Sequence, residues 1–306
     1  MRCQLCGEVA AISMPQHRLK LCEEHYVAWV ERRVARTIES YEMFAPDDRL
    51  LVAVSGGKDS LALWDILLRL GYQADGLYIH LGIEHEGYSD ISQSYATAYA
   101  ATRPEATLQI VNVAQRYGRS IPELAHGRGR RACSSCGMIK RYIMNRTARE
   151  GGYAAIVTGH NLDDEAAQLL QNNLFWVRGY LQRQAPVLPE AAGGGLVRKA
   201  KPLCLLYERE SAAYTLVRGI AYVQRECPYA QGATSIFHKG ILNDLERRSP
   251  GAKLQYYQGF VRARQEGFIV AEGEAAEFEV CARCGQPTTA NAVCAFCRML
   301  EAEGGL

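Results

Sequence analysis

No run in this chain is long and apolar enough to cross a bilayer, and Met1-Arg2-Cys3 begins no secretory leader. Membrane and exported proteins are set aside on that basis, and a cytoplasmic protein is expected. Charge of one sign is also missing, since 35 Lys and Arg face 33 Asp and Glu for a formal net of +2. Any grip on a polyanion must therefore come from local patches rather than a global field. Long internal repeats are absent. So is the GxxxxGK[ST] loop, which excludes the usual triphosphatase cradle. What is present is a chain of 306 residues, 48% hydrophobic and 22% charged, enough for one sizeable core plus appendages.

Its most informative stretch is RLLVAVSGGKDSLALWDILLRL, residues 49–70. Leu50 to Val54 reads as a strand buried on both faces. Ser55-Gly56-Gly57 reads as a tight turn, and from Asp59 onward Leu61, Trp64, Leu67 and Leu68 recur at helical spacing until Gly71. Strand, turn and helix start bring free N–H groups to one point, backed by about half a positive charge of helix dipole. That is a phosphate cradle. SGGKDS resembles the pyrophosphatase-type PP-loop of enzymes that cleave ATP between its alpha and beta phosphates. The resemblance implies that Ser55, Gly56, Gly57, Lys58, Asp59 and Ser60 hold the pyrophosphate, with Ala53 and Val54 against the adenosine.

Further strands are expected at 74–81, 107–113 and 153–158, separated by helix-like segments that include 89–102 and 137–150. The alternation predicts an α/β fold, a parallel sheet sandwiched by helices, with its site at the carboxyl ends of the strands. Ser55, His80 and Gly159 fall at such ends. Residues 184–202, with three prolines and a glycine triplet, read as a surface loop. Helices are expected over 205–225 and 234–265, the second broken at Ser249-Pro250-Gly251, followed by an acidic linker, EGEAAEFE. The resulting division is an N-terminal zinc finger at 1–27, a linking helix at 28–46, a catalytic domain at 47–232, a helical extension at 233–277 and a C-terminal zinc finger at 278–306.

Eleven cysteines would suggest disulfides in a secreted protein, but here most fall in C-x-x-C pairs, which suit metals in a reducing compartment. Cys3, Cys6, Cys22 and His25 make one quartet, and Cys281, Cys284, Cys294 and Cys297 another. Four soft or borderline ligands in two close pairs suit a closed, structural Zn2+ site, so two Zn2+ are expected. The middle of the chain holds three, Cys133, Cys136 and Cys227. Three thiolates satisfy three irons of a [4Fe–4S] cube and leave the fourth open to bind and present sulfide as a nucleophile. A redox dithiol passing a persulfide is an alternative, as is a third zinc site completed by Cys204. Cys204 itself reads as a small buried hydrophobe within LCLLY.

Arg128, Arg130, Arg131, Lys140, Arg141, Arg146 and Arg149 surround the Cys133 pair with no acid between His126 and Arg149. Such a tract suggests a polyanion brought to a reactive centre, the alternative being a solvated helix face. Lys140 is close enough to the pair to serve ATP phosphates instead of RNA. After the 153–158 strand comes TGHNLDDEA, in which Gly159 would let a ligand approach the backbone and Asp163 and Asp164 lie near a helix N-terminus, as function or as caps. His160 reads as a hydrogen-bonded structural histidine.

Together SGGKDS, the central C-x-x-C, TGHNLDDEA, the later Cys227-Pro228 and both terminal knuckles resemble the tRNA thiolation enzymes, the PP-loop family with the TtcA and TtuA groups. The flanking knuckles are similar to the TtuA branch. The resemblance implies Cys133, Cys136 and Cys227 as cluster ligands, Lys140 and Gly159 in ATP binding, and Asp164 as catalytic carboxylate. It further implies Mg2+-ATP, adenylation of a tRNA uridine at O2 and its replacement by sulfur, with the T-loop 5-methyluridine at position 54 as target. A ubiquitin-like carrier with a C-terminal thiocarboxylate would bring the sulfur, and a homodimer is expected. Alternatives are thiolation of a wobble uridine or an anticodon-loop cytidine, a lysidine-type PP-loop ligase, and an RNA-binding redox sensor without enzymatic activity.

Overall fold

The computed structural model describes residues 1–126, 132–176, 178–191, 195–230, 234–268 and 278–301. The chain opens with a hairpin, β1 (Ile12–Met14) and β2 (Leu19–Leu21), that runs into α1 (Glu23–Ser40). Then come β3 (Arg49–Val54), α2 (Lys58–Arg69), β4 (Gln73–His80), α3 (Tyr88–Ala101) and β5 (Leu108–Asn112). Helices α4 (Val113–Tyr117), α5 (Ile121–His126) and α6 (Ala132–Glu150) lead to β6 (Ala155–Thr158) and α7 (Leu162–Leu174). They are followed by α8 (Arg178–Arg183), β7 (Val187–Leu188), β8 (Arg198–Ala200), α9 (Glu208–Val217), α10 (Thr234–Arg248) and α11 (Ala252–Gln265). A last small unit holds β9 (Glu279–Val280), β10 (Pro287–Thr288) and α12 (Ala295–Glu301).

Six strands form the central sheet in the order β5-β4-β3-β6-β8-β7, every neighbouring pair parallel except β7 against β8. Successive side chains point to opposite faces, so the continuous apolar runs feed two cores. Leu50, Val52, Val54, Ala155 and Val157 pack on one face with α1, α2 and α9. Leu51, Leu77 and Ile156 pack on the other with Ile139 and Ile143 of α6. The first face also receives Cys3, Met14 and Leu21 of the N-terminal unit, and the second receives Cys281, Cys294, Cys297 and Phe296 of the C-terminal one. The terminal units thus sit on opposite faces of one sheet.

One buried ion cluster ties the first layer together. Asp65 of α2, fully buried, accepts from Arg103 at 2.6 Å, Arg218 at 3.0 Å, Tyr99 at 3.0 Å and Tyr214 at 2.7 Å. Burial alone would raise its pKa, but Arg218, Tyr214 and Arg103 together hold the carboxyl below its ordinary value.

The α/β layers follow the sequence pattern, and two details differ from it. The expected surface loop at 184–202 contains β7 and β8, and β8 lies beside β6 within the sheet. Strands of two and three residues are too short to show a period, and Arg198 and Lys199 hide the apolar signal. The helix expected over 205–225 stops at Val217, because Gly219 at φ +65° supplies the left-handed turn that ends it. The break at Ser249-Pro250-Gly251 is where α10 gives way to α11. The acidic linker lies outside the described residues except at its last two positions, and so do Arg128, Arg130, Arg131 and part of the glycine triplet.

Candidate active site and metal centres

The glycine turn connects β3 to α2 at the carboxyl edge of the sheet. Gly57 is the N-cap of α2, and no side chain caps it. The first N–H groups of a 12-residue helix are therefore left for a ligand. Ser60 Oγ accepts from the Ser55 N–H at 3.0 Å and donates to the Gly57 carbonyl at 2.9 Å, which fixes the turn. Gly56 adopts φ +75°, and a Cβ there would lie 2.2 Å from the Ser92 carbonyl oxygen of α3. Only glycine lets α3 approach so closely.

From this contact α3 leads directly to the central cysteines. Tyr88, one turn before Ser92, packs on the same core cluster as Cys136 and Cys227; burial, and then the charges of Cys227 and Cys136, push its phenol up. On the other side the Val223 N–H donates to the Gly56 carbonyl at 2.9 Å. Cys227 is four residues further on, a reach of at most about 14 Å. Cys133 donates its thiol to the Tyr229 carbonyl at 3.2 Å, and the Ala230 N–H returns to the Cys227 carbonyl at 2.8 Å. Loop and trio occupy the same end of the sheet. Lys140 lies one turn along α6 from Cys136; burial raises the Cys136 thiol and Lys140 opposes that shift.

The terminal quartets are tighter. In each, the four potential ligand atoms all lie within 4.8 Å of one another, and the central trio forms no such group. His25 presents Nδ1, 3.1 Å from Cys22 Sγ and 3.7 Å from Cys3 Sγ. In the second quartet the Cys294 N–H donates to Cys281 Sγ at 3.2 Å. Burial opposes ionisation of Cys3 and Cys281, but backbone N–H groups outweigh it and bring each thiol down to about 6. Both donor sets fit one tetrahedral ion. Cys204, by contrast, is fully buried in the core on the other face from the one the trio's Cys136 and Cys227 border, so it completes no third site with them.

A chain of charges runs along the rim of the nucleotide loop. Lys58 Nζ pairs with Asp59 at 3.1 Å and with Glu208 at 2.7 Å. Lys239 Nζ pairs with Glu208 at 3.0 Å and with Asp164 at 2.6 Å. Burial works against the Glu208 carboxylate, but the two lysines prevail and bring it down to about 2. Asp59 Oδ1 is buried with no hydrogen-bond partner, an orphaned carboxylate oxygen beside the loop.

A match to the 2-thiouridine synthetase TtuA, N-terminal LIM domain, spans residues 2–27, and a match to the PP-loop domain spans residues 28–226. The tRNA-5-methyluridine(54) 2-sulfurtransferase of Thermus thermophilus is 49% identical over 99% of this chain and 92% of its own length. The chain belongs to the TtuA-type PP-loop family. The protein of the same name from Pyrococcus horikoshii is 42% identical, covering 97% of this chain and 93% of that one. In three dimensions, the U34-tRNA thiolase NcsA from Methanococcus maripaludis, a structure with its [4Fe-4S] cluster, superposes with TM-score 0.81 at 24% identity. That match covers 100% of this chain and 97% of the other, and it shows the shared fold.

Against this TtuA-type frame the predicted residues separate by role. Asp163 is inward, 5% exposed, accepting the Glu208 N–H at 2.9 Å and pairing with Lys253. Asp164 both caps its helix and joins the rim of charges: its Oδ2 accepts the Asn161 N–H at 3.1 Å in a capping box, and its Oδ1 meets Lys239. What approaches Gly159 is protein, since a Cβ there would lie 2.9 Å from the Asp59 carbonyl carbon and 3.0 Å from the Ser60 nitrogen. The glycine lets the end of β6 press against the first turn of α2. His160 shares a hydrogen bond with Thr158 Oγ1 at 2.8 Å, as a structural histidine would; desolvation, with Lys201 nearby, holds it below its ordinary value. Two members of the basic tract are committed elsewhere, Arg146 to Glu150 at 2.7 Å and Arg149 to the Gly285 carbonyl at 3.1 Å. Glu208 and Lys239 carried no sequence signal, because their pairing joins segments far apart in the chain.

Proposed function

We propose that this chain is an ATP-dependent tRNA 2-thiolase that activates O2 of a uridine by adenylation and replaces it with sulfur. The preferred target is the T-loop 5-methyluridine at position 54, the nucleotide in the names of relatives 49% and 42% identical along nearly the whole chain. One observation carries the reading: Gly56 meets Ser92 of α3 and accepts the Val223 N–H, while Tyr88, one turn before Ser92, packs on the same core cluster as Cys136 and Cys227, so activation and sulfur chemistry share one end of the sheet.

In this scheme the uncapped start of α2, with Ser55, Gly56, Gly57, Lys58 and Ser60, holds the phosphates that leave as pyrophosphate, and Ala53 and Val54 flank the adenosine. The orphaned Asp59 Oδ1 fits a Mg2+ that arrives with ATP, a hard cation that takes carboxylate and phosphate oxygens. Asp164 accepts the N3 proton that the uridine loses as O2 attacks the alpha phosphate, and Lys140 offsets negative charge developing there. Cys133, Cys136 and Cys227 would hold a [4Fe–4S] cluster. Their sulfurs do not converge as the terminal quartets do, which suits ligation to separate irons. When bound, that group would supply an open Lewis-acidic iron for sulfide. Each terminal quartet would hold one structural Zn2+.

The division at 27, 46, 232 and 277 is retained as a proposal, and so is residence in the cytoplasm. Among the described residues no helix is long and apolar enough to cross a membrane. The family resemblance supports a ubiquitin-like thiocarboxylate carrier as the sulfur source. A second copy of the chain would cover the exposed stripe of Phe237, Ile241 and Leu245 on α10 and the neighbouring Leu174, Phe175 and Trp176.

The test is an anaerobic reaction of the iron- and sulfide-reconstituted protein with ATP, sulfide and tRNA, followed by nucleoside mass spectrometry. Expected is 5-methyl-2-thiouridine at position 54, with one AMP and one pyrophosphate per sulfur. Sulfur at an anticodon nucleotide would overturn the target, and AMP-free turnover the mechanism.

A further inference from the structure

A pocket of about 210 Å³ lies outside the loop and the cysteines, between α1 and α11. Arg32, Arg36 and Ser40 run along one rail of α1, Trp29 and Arg33 along the next, and Gln258 of α11 faces them. No acidic residue lines it. Glu31, beside Arg32 in sequence, is turned away to Arg69, and Glu39, beside Ser40, is not among the lining residues. Arg33 is anchored, donating to the Leu205 carbonyl at 3.1 and 2.9 Å and lying over the Trp29 ring. Arg32 and Arg36 are exposed and, among the described residues, have no ion-pair partner.

We infer that this pocket grips the phosphate backbone of the tRNA substrate, an inference that rests on the thiolase reading. Arg32 and Arg36 stand one helical turn apart, about 6 Å along the axis, comparable to the step between neighbouring phosphates on a strand. Ser40 and Gln258 add neutral donors of the kind that hold phosphate and 2′-hydroxyl groups in register without reading sequence. Leu205, which lines the pocket, is three residues before Glu208 of the nucleotide-site rim, a separation of at most about 11 Å. An RNA with one nucleotide in the active site has flanking phosphates within that range. With a net charge of only +2 for the whole chain, a grip on a polyanion must come from local cation pairs such as this one.

The double variant Arg32→Gln, Arg36→Gln removes both charges and leaves Arg33 and the fold in place. Expected is a tRNA Kd raised tenfold or more at about 0.15 M salt, and a slope of log K against log salt shallower by about two. ATP affinity and the melting temperature should match the parent. Unchanged affinity and slope, with thiolated tRNA still formed, would overturn the pocket assignment alone. Unchanged tRNA binding with loss of carrier-dependent but not sulfide-driven thiolation would also overturn it, placing an acidic protein surface there instead. If the unaltered chain neither binds nor thiolates tRNA, the underlying function fails, a result distinct from either.

Discussion

The terminal quartets and the central trio use the same side chain for opposite ends. Each quartet assembles from two close pairs on one small unit, converges within 4.8 Å, and has a thiol already brought down to about 6 by local backbone N–H groups. Everything such a site needs lies within its own short stretch of chain. The trio draws Cys133 and Cys136 from α6 and Cys227 from a turn some ninety residues later, and Cys133 remains exposed. Its geometry is an outcome of the whole fold. A closed site that assembles locally can stabilise a structure but has no position left to act; a site of three ligands gathered from distant segments keeps a position that can do chemistry. The two classes should therefore fail differently when a ligand is removed.

The largest effect is expected at the C-terminal quartet. Cys281→Ala should lose one zinc equivalent, and with it part of a metal-binding free energy on the order of 10 kcal/mol. The C-terminal unit is fastened to α6, with Phe296 stacked on Tyr142 at 3.9 Å, Gln286 accepting from Asn145 at 3.0 Å, and Arg149 holding Gly285. Loosening it should lower the melting temperature by ten degrees or more and loosen the trio's own helix, measured by zinc analysis and calorimetry. Cys3→Ala, on the opposite face, should lose its zinc but leave α6 untouched, as hydrogen exchange along α6 would reveal. Equal loosening of α6 by both variants would break the distinction between the two faces.

Next comes Cys227→Ala. Here stability should change little, by a few degrees at most, while sulfur transfer falls at least a thousandfold, about 4 kcal/mol of activation free energy. ATP binding, resting on α2, should persist. Single-turnover thiolation beside a thermal melt makes the measurement. A variant that keeps its activity would return the site to the lysidine-type ligase reading, which needs no third cysteine. The contrast with Cys281→Ala is sharp because Cys227→Ala should spare the stability that Cys281→Ala destroys.

How far these roles were legible follows from range. SGGKDS announces a phosphate turn because its strand, glycines and helix are contiguous, and the quartets announce metal because their spacing is local. The trio was legible only as an incomplete count, its neighbourhood with the loop resting on α3 and on the Val223–Gly56 hydrogen bond. Gly159 showed the need for close approach but not that the first turn of α2 makes it. Strand β8 was lost because three residues with two cations carry no pattern. Arg149 looked like part of an RNA tract, and its partner carbonyl at Gly285 is 136 residues away in the chain. Whatever the sheet brings together from afar escapes a linear reading, and Glu208 is the fullest instance.

The smallest effect is expected there. Glu208 stands between Lys58 and Lys239, so Glu208→Gln leaves those cations only Asp59 and Asp164. At neutral pH the loss should be roughly 1 kcal/mol, since the carboxylate is a third exposed and water screens it. The folded carboxyl is brought from 4.5 down to about 2, so its contribution is fully present above about 4.5 and disappears as pH falls from there through about 2. The stability gap between parent and variant should accordingly be constant from pH 5 to 8 and close progressively toward pH 2. Acid would also strip any metal from the quartets, but in both proteins alike, so the difference between paired denaturant melts at pH 7 and pH 3 isolates this one group. A gap as wide at pH 3 as at pH 7 would mean that Glu208 contributes through packing rather than charge. The rim would then be a static clamp, and the lysine beside Asp164 would owe nothing to the carboxylate it shares with the nucleotide loop.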